Sequence, residues 1–294
     1  MNSIKSVRDF NDYIGVNTLH PLVTVINMSN CKPMKLEYSL LNMYAIFLKS
    51  VNCGPLRYGN NYYDYKDGTI LTVAPGQVFG VETQTEIQPH GWALLFHPDL
   101  IYGTELGRII KEYTFFSYDS NEALHLSEKE RNIIENCFEN ISTELERNID
   151  NYTNTVVVRC ITLLLDYCMR FYSRQFITRH KVNSDILSRL ERIVDDYFLN
   201  GTSFEKGLLS VAYCADKLCL SPNYFGDLIK KELGKSPKEY IQDRLLAIAK
   251  EKLLGSNDTI NEISESLGFK YPAHFTRLFK NCVGLTPQEY RTIN

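Results

Sequence analysis

Arg277, with Thr276 before it and Lys280 three residues on, is where the chain's side chains carry the most suggestive chemistry. A guanidinium is a rigid fork of donors that fits the O6 and N7 edge of guanine, a pairing worth about 1–3 kcal/mol of discrimination between bases. The same fork also fits a phosphate, and that reading of Arg277 stays open. Lysine presents a point charge better suited to phosphate than to a base edge. Lys230, Lys231 and Lys280 are read in that way, with solvated surface lysines as the bland alternative. Lys235 and Thr286 are further candidate donors to a phosphate backbone, and His274 is as able to cap or pack as to reach a ligand. Such side chains on one surface address a nucleic-acid duplex.

The elements that must position them repeat. Val211, Leu218, Phe225, Leu228, Gly234, Pro237 and Tyr240 recur as Ile260, Leu267, Phe275, Leu278, Gly284, Pro287 and Tyr290. The offset is 49 for the first two pairs and 50 for the rest, so the extra residue falls in the turn. Each copy reads as a short helix, a tight turn and a second helix with polar residues outward. Ser221-Pro222 is a strong helix start, a hydroxyl N-cap followed by proline in the first turn. The helix it opens leaves Asn223, Gly226, Asp227 and Lys230 outward, and its counterpart leaves Ala273, His274, Thr276, Arg277 and Lys280. Asp227 faces phosphate unfavourably; it either accepts from cytosine N4 or makes no contact. Gly268 sits where a left-handed helix end is favoured. A helix over 237–254 joins the copies; at about 1.5 Å per residue it spans roughly 27 Å. Adding the flanking helices, two probes about 34 Å apart meet successive major grooves of duplex DNA.

The stretch from Ile260 through Leu267-Gly268-Phe269, Phe275-Thr-Arg277-Leu-Phe279-Lys280, Gly284-Leu-Thr286-Pro287 and Tyr290-Arg291 resembles the signature of AraC/XylS-type transcriptional regulators. Leu220 to Phe225 and Gly234 to Pro237 resemble that family's first unit, so the resemblance covers 186–294. It implies a promoter-binding regulator, an activator that contacts RNA polymerase, with a separate sensing or dimerising domain. Ser221, Asn223 and Tyr224 join the DNA-facing residues on this basis. The sequence departs from the family at Gly226 and Asp227, where Gln or Arg is common, and at Ala273, read as the place of a Ser N-cap.

Before residue 175 the pattern changes. Runs at 22–26, 44–48, 69–73 and 92–96 alternate with turn signals such as Ala74-Pro75-Gly76, which predicts a barrel or a two-sheet sandwich. Two helices follow, 127–147 opening with the capping pattern Ser127-x-x-Glu130, and 153–174. The stretch from Gly59 to Gly76, with the run from Gly91 to Pro98, resembles the cupin-like effector domain of the same family. The fold class expected is therefore α+β: a cupin-like barrel with two helices over 1–175, a linker at 176–185, and tandem helix-turn-helix units over 186–294. Tyr44, Tyr58, Tyr62 and Trp92 are candidate lining for a small-molecule effector pocket, or else ordinary sheet aromatics. No H-x-H pair exists among the six histidines, so neither a metal nor another cofactor is expected.

Bulk composition limits the alternatives. The net charge is −3, with thirteen Lys and Arg against eleven Asp and Glu after residue 200, a local balance of +2 that leaves −5 before it. Affinity for DNA must then come from where particular cations point rather than from an overall basic field. Eight cysteines without a C-x-x-C pair read as buried thiols in a reducing compartment. With no membrane-length apolar run and no signal-peptide layout, a cytoplasmic protein is expected, a homodimer being compatible with the apolar stripe on 127–147. The competing classes are a cupin-type enzyme or ligand-binding protein with an accessory DNA-binding domain, and an architectural module without sequence preference. No nucleophile–base pair at readable spacing supports an enzyme.

Overall fold

Four of the strands in the computed structural model are the four apolar runs expected from the sequence, and they lie side by side. The structure describes residues 2–33, 38–49, 56–58, 61–63, 68–80, 85–119, 122–178 and 180–293. The chain divides into two units, Met1–Thr178 and Arg179–Asn294.

In the first unit the elements run β1 (Asn2–Ile4), α1 (Val7–Ile14), β2 (Val23–Asn27), β3 (Ser39–Leu41), β4 (Tyr44–Lys49), β5 (Leu56–Tyr58), β6 (Asn61–Tyr63), β7 (Thr69–Val73), β8 (Gln77–Phe79) and β9 (Gly91–Phe96). The short helices α2 (Pro98–Ile101) and α3 (Glu105–Ile109), strand β10 (Leu124–His125) and the long helices α4 (Glu128–Leu145) and α5 (Thr153–Thr178) complete it. The main sheet has the order β10-β7-β4-β9-β2, antiparallel throughout, with Tyr44 opposite Phe96 and Leu48 opposite Trp92. A second sheet, β1-β3-β8, pairs β1 and β3 in parallel, and β5 pairs with β6.

The two larger sheets share a core. Ile4 and Leu41 pack with Phe47, Leu71, Val73 and Leu95, and α1 adds Val7 and Phe10. The alternate residues of β4 and β9, Ile46, Leu48 and Leu94, are also buried, which is why these strands read as nearly continuous apolar runs. On the helical side Trp92 stacks on Phe138 of α4, ring centroids 5.8 Å apart. Glu130 closes the capping box with Ser127 and receives both arms of Arg174 from α5 at 3.0 and 2.8 Å. Of the two arrangements expected, a barrel or a two-sheet sandwich, no closed barrel is found among the described residues: β2 and β10 are separate ends of an open sheet. A strand buried on both faces needs cover on both, so helices on one side and a small sheet on the other replace closure.

The second unit is helical: α6 (His180–Leu199), α7 (Thr202–Lys206), α8 (Val211–Leu218), α9 (Pro222–Leu233), α10 (Pro237–Gly255), α11 (Ile260–Ser266), α12 (Pro272–Val283) and α13 (Pro287–Ile293). The division at 178/179 falls inside the stretch 176–185 read as a linker, but α5 runs to Thr178 and α6 starts at His180, so the stretch is helical on both sides of residue 179. Among the described residues no helix is long and apolar enough to cross a membrane.

Candidate nucleic-acid interface

The repeat extends to the caps. Gly234 and Gly284 end α9 and α12 in left-handed conformation, each donating its N–H to the carbonyl of Lys230 or Lys280. Ser236 and Thr286 then open the next helix, each exchanging hydrogen bonds with a glutamate three residues on, Glu239 or Glu289. Small residues, Ala215 and Ser264, are buried at equivalent places on α8 and α11.

Two braces hold the copies together. Helix α10, about 28 Å long at 1.5 Å per residue, packs against α8 and α9 on the one hand and α11 and α13 on the other. Its buried residues Ile241, Leu245, Leu246, Ile248, Ala249 and Leu253 lie on one broad side of the helix, wide enough to meet both sets of neighbours. The second brace is α6–α7. Helix α6 packs on α8, while Ser203 of α7 donates to the carbonyl of Ser266 at 2.6 Å, and Tyr197 donates to that of Gly207 at 3.0 Å. Gly268, at φ +89°, is pressed so close to Gly207 that a Cβ there would lie 2.5 Å from its carbonyl carbon and oxygen. Sequence patterns gave no hint of this second brace, since Gly207 and Gly268 are sixty-one residues apart.

The outward face of α12 is open. Ala273, His274, Arg277 and Lys280 are exposed and Thr276 half-buried, while Phe275 and Phe279 fill the interior. Arg277 has no hydrogen bond or ion pair among the described residues. Sequence reasoning missed two neighbours: Lys270 has its ammonium 5.6 Å from the ring centre of Tyr271, and that ring meets His274 edge-on at 5.5 Å. Tyr271 is itself the N-cap of α12 and makes no side-chain cap, so Ala273 is the second residue of the helix and not its cap. Pro272 supplies the first-turn φ in its place.

On α9, Asn223 and Lys230 are exposed, as is Lys231, whereas Gly226 and Asp227 are half-buried. Two residues assigned to the outer face lie inside: Ser221 and Tyr224 are each 4% exposed, with Ser221 Oγ accepting the N–H of Tyr224. Two of the other candidates have local partners, and so does Arg291 of the family signature. Lys235 is paired to Asp243 at 2.7 Å, Thr286 caps α13, and Arg291 donates through Nε to the carbonyl of Leu253 near the end of α10. An arginine so placed satisfies a helix-end carbonyl, a structural task.

Of the aromatic residues expected to line an effector pocket, the two whose side chains are described, Tyr44 and Trp92, do not converge. Tyr44 is half-buried between Phe96 and Phe116, and Trp92 lies at the opposite end of the β4–β9 pair. The side chains of Tyr58 and Tyr62 lie outside the described residues. Beside β7, the space bounded by Phe79, Phe115, Tyr118 and Tyr172 is about 10 Å³, room for one water at most. Of the buried thiols, Cys137 and Cys214 are pushed up to about 11 by burial, as expected of inert apolar filling, though Cys219 and Cys282 are exposed.

A family of helix-turn-helix domains matches residues 214–293. An uncharacterised helix-turn-helix transcriptional regulator of Bacillus subtilis (strain 168) is 36% identical over 94 residues, covering 32% of this chain and 38% of the relative. The arabinose operon regulatory protein of Escherichia coli (strain K12) is 32% identical over 81 residues, 28% of each chain. The lactose operon transcription activator of Staphylococcus xylosus is 23% identical over 259 residues, covering 84% of this chain and 85% of the relative. The chain thus spans well under half of the length of the first two relatives.

Proposed function

We propose, for a chain whose C-terminal unit is a helix-turn-helix domain of the AraC/XylS family, that it regulates transcription by reading two adjacent major grooves of promoter DNA. One observation carries this reading: α12 presents Arg277 and Lys280, exposed, on a scaffold that duplicates α9 and is braced to it by α10. A helix held rigidly and carrying a donor fork outward is what base-edge recognition requires. Its repeat on α9 supplies Asn223, Lys230 and Lys231 to the neighbouring groove and its phosphates. In this reading the protein works in the cytoplasm as an activator that contacts RNA polymerase. The N-terminal unit senses a small molecule or pairs with a second copy. The similarity to operon regulators supports the assignment.

The test is selection of bound duplexes from a random pool, followed by titration of selected and scrambled duplexes across a salt series. Sequence-specific regulation requires strong preference for the selected site, with the logarithm of affinity falling linearly against log salt for both. Lys280→Ala is expected to weaken every duplex alike. Uniform affinity for all sequences would instead indicate an architectural protein.

A further inference from the structure

We propose that the seam between the β2 edge of the main sheet and α4 is a binding site for a small organic cation with an apolar body. This rests on reading the N-terminal unit as a sensor, and it places the site on the helical side of the main sheet.

Two clefts adjoin there, sharing Asn27 and Trp92. The first, about 330 Å³, is walled by Val16, Leu19, Val23 and Leu145. The second, about 420 Å³ and more open, is lined by Ser29, His90, Arg131, Glu135 and Glu139. Either volume suits a compact organic molecule. Leu19, at the mouth of the first cleft, is 54% exposed, an apolar surface left uncovered.

The sign of charge follows from α4. Arg131, Glu135, Glu139, Ser142 and Glu146 recur at steps of four, four, three and four, so one side of the helix lines both clefts. Arg131 is already bonded to Glu135 at 2.9 Å, and Ser142 donates to Glu146 at 3.3 Å. Glu139 has no partner among the described residues. Three carboxylates against one guanidinium leave an excess of negative charge, and among the described residues no lysine lines either cleft. Between them stands Trp92, its ring held in place by Phe138, and an indole face is the best aromatic surface for a cation. An apolar wall in one cleft, unbalanced carboxylates in the adjoining one and an indole shared by both favour an amphipathic cation that spans them and disfavour an anion of the same shape.

Trp92 is the single tryptophan of the chain, so its emission reports this seam alone. The full-length protein is titrated with 4-phenylbutylammonium, 4-phenylbutanol and 4-phenylbutyrate, which share a skeleton and differ in charge. The expected result is a saturable change in Trp92 emission with the cation, about tenfold tighter than with the alcohol, and none with the carboxylate. The double substitution Glu135→Gln, Glu139→Gln is expected to weaken the cation about tenfold, with melting temperature and resting emission retained. Ser142→Leu, which narrows the cleft without touching charge, is expected to weaken cation and alcohol together. Equal binding of all three probes, no saturable change up to millimolar concentration, or unchanged affinity in the glutamine variant would overturn the proposal. DNA affinity with and without the cation tests the sensor reading separately: binding at Trp92 that leaves DNA affinity untouched upholds the site and removes only its coupling to DNA.

Discussion

The two helix-turn-helix copies share a scaffold and differ in what they show to solvent. Gly234 and Gly284, Pro237 and Pro287, and the glutamate caps Glu239 and Glu289 occupy the same places and do the same work. The outward positions have diverged: Asp227 in the first copy stands where Arg277 stands in the second, and Gly226 where Thr276 stands. Tyr224 is buried, while His274 at the equivalent place is exposed. Backbone termination and core packing tolerate few residue types, so those positions stay alike. Outward positions are free of that constraint and can separate two tasks. Under the proposed function, Arg277 would give the second copy the larger part of base reading and the lysines of the first copy would contribute more to phosphate positioning.

The turns differ too. Cys219 ends α8 in left-handed conformation at φ +58°, with a side chain accommodated, whereas the equivalent Gly268 has Gly207 where a Cβ would go. The largest effect is therefore expected from Gly268→Ala. It should cost about 3 kcal/mol or more, since backbone must shift to relieve the contact. Denaturant unfolding measures it, and a loss below about 1 kcal/mol would mean that the α7 brace yields easily.

Next comes the contrast between aligned residues. Arg277→Ala should lose about 1–3 kcal/mol on the selected duplex and discrimination at one base pair. Asp227→Asn should raise affinity slightly on all duplexes by removing a negative charge near phosphate. Both are read by binding isotherms, and an equal loss on every sequence for Arg277→Ala reassigns it to phosphate.

Making the second copy more like the first should stabilise it. Tyr271→Ser supplies the cap that Ser221 provides to α9, and Ser264→Ala removes a buried hydroxyl that has no partner among the described residues, leaving the alanine found at 215. Each is expected to gain about 1 kcal/mol in thermal or denaturant unfolding. A loss for Ser264→Ala would point to a water-mediated bond.

The smallest effect concerns acid. Glu239, Glu262 and Glu289 are held below the ordinary glutamate value of 4.5, first by the backbone N–H groups of Ser236, Thr259 and Thr286. A carboxyl with a depressed folded value binds its proton later than in the unfolded chain. Its contribution is thus present above the ordinary glutamate range and lost as pH falls through the depressed values. Two of these three glutamates cap helices of the second copy, α11 and α13, so Glu262→Gln with Glu289→Gln should flatten the acid side of an unfolding-against-pH curve more than Glu239→Gln does. Equal flattening would remove that distinction between the copies.

Much of this architecture was legible because its signals are local. Ser221-Pro222, the glycines after α9 and α12 and the Ser127–Glu130 box act within one helical turn, so residue types at short spacing determine where helices begin and end. The four central strands were legible for the same reason, being apolar runs bounded by turns. Distance along the chain defeated the rest. Outward and inward positions at a helix start differ by one residue, and only the packed core decided that Tyr224 goes in; the bond to Leu253 that occupies Arg291 depends on a helix thirty-eight residues earlier. Whether sheets close, that Gly207 meets Gly268, and that the sole tryptophan lines a cleft with Glu135 and Glu139 of α4 are set by contacts between remote segments. No local pattern encodes those contacts, because they depend on how whole elements bury one another's surfaces.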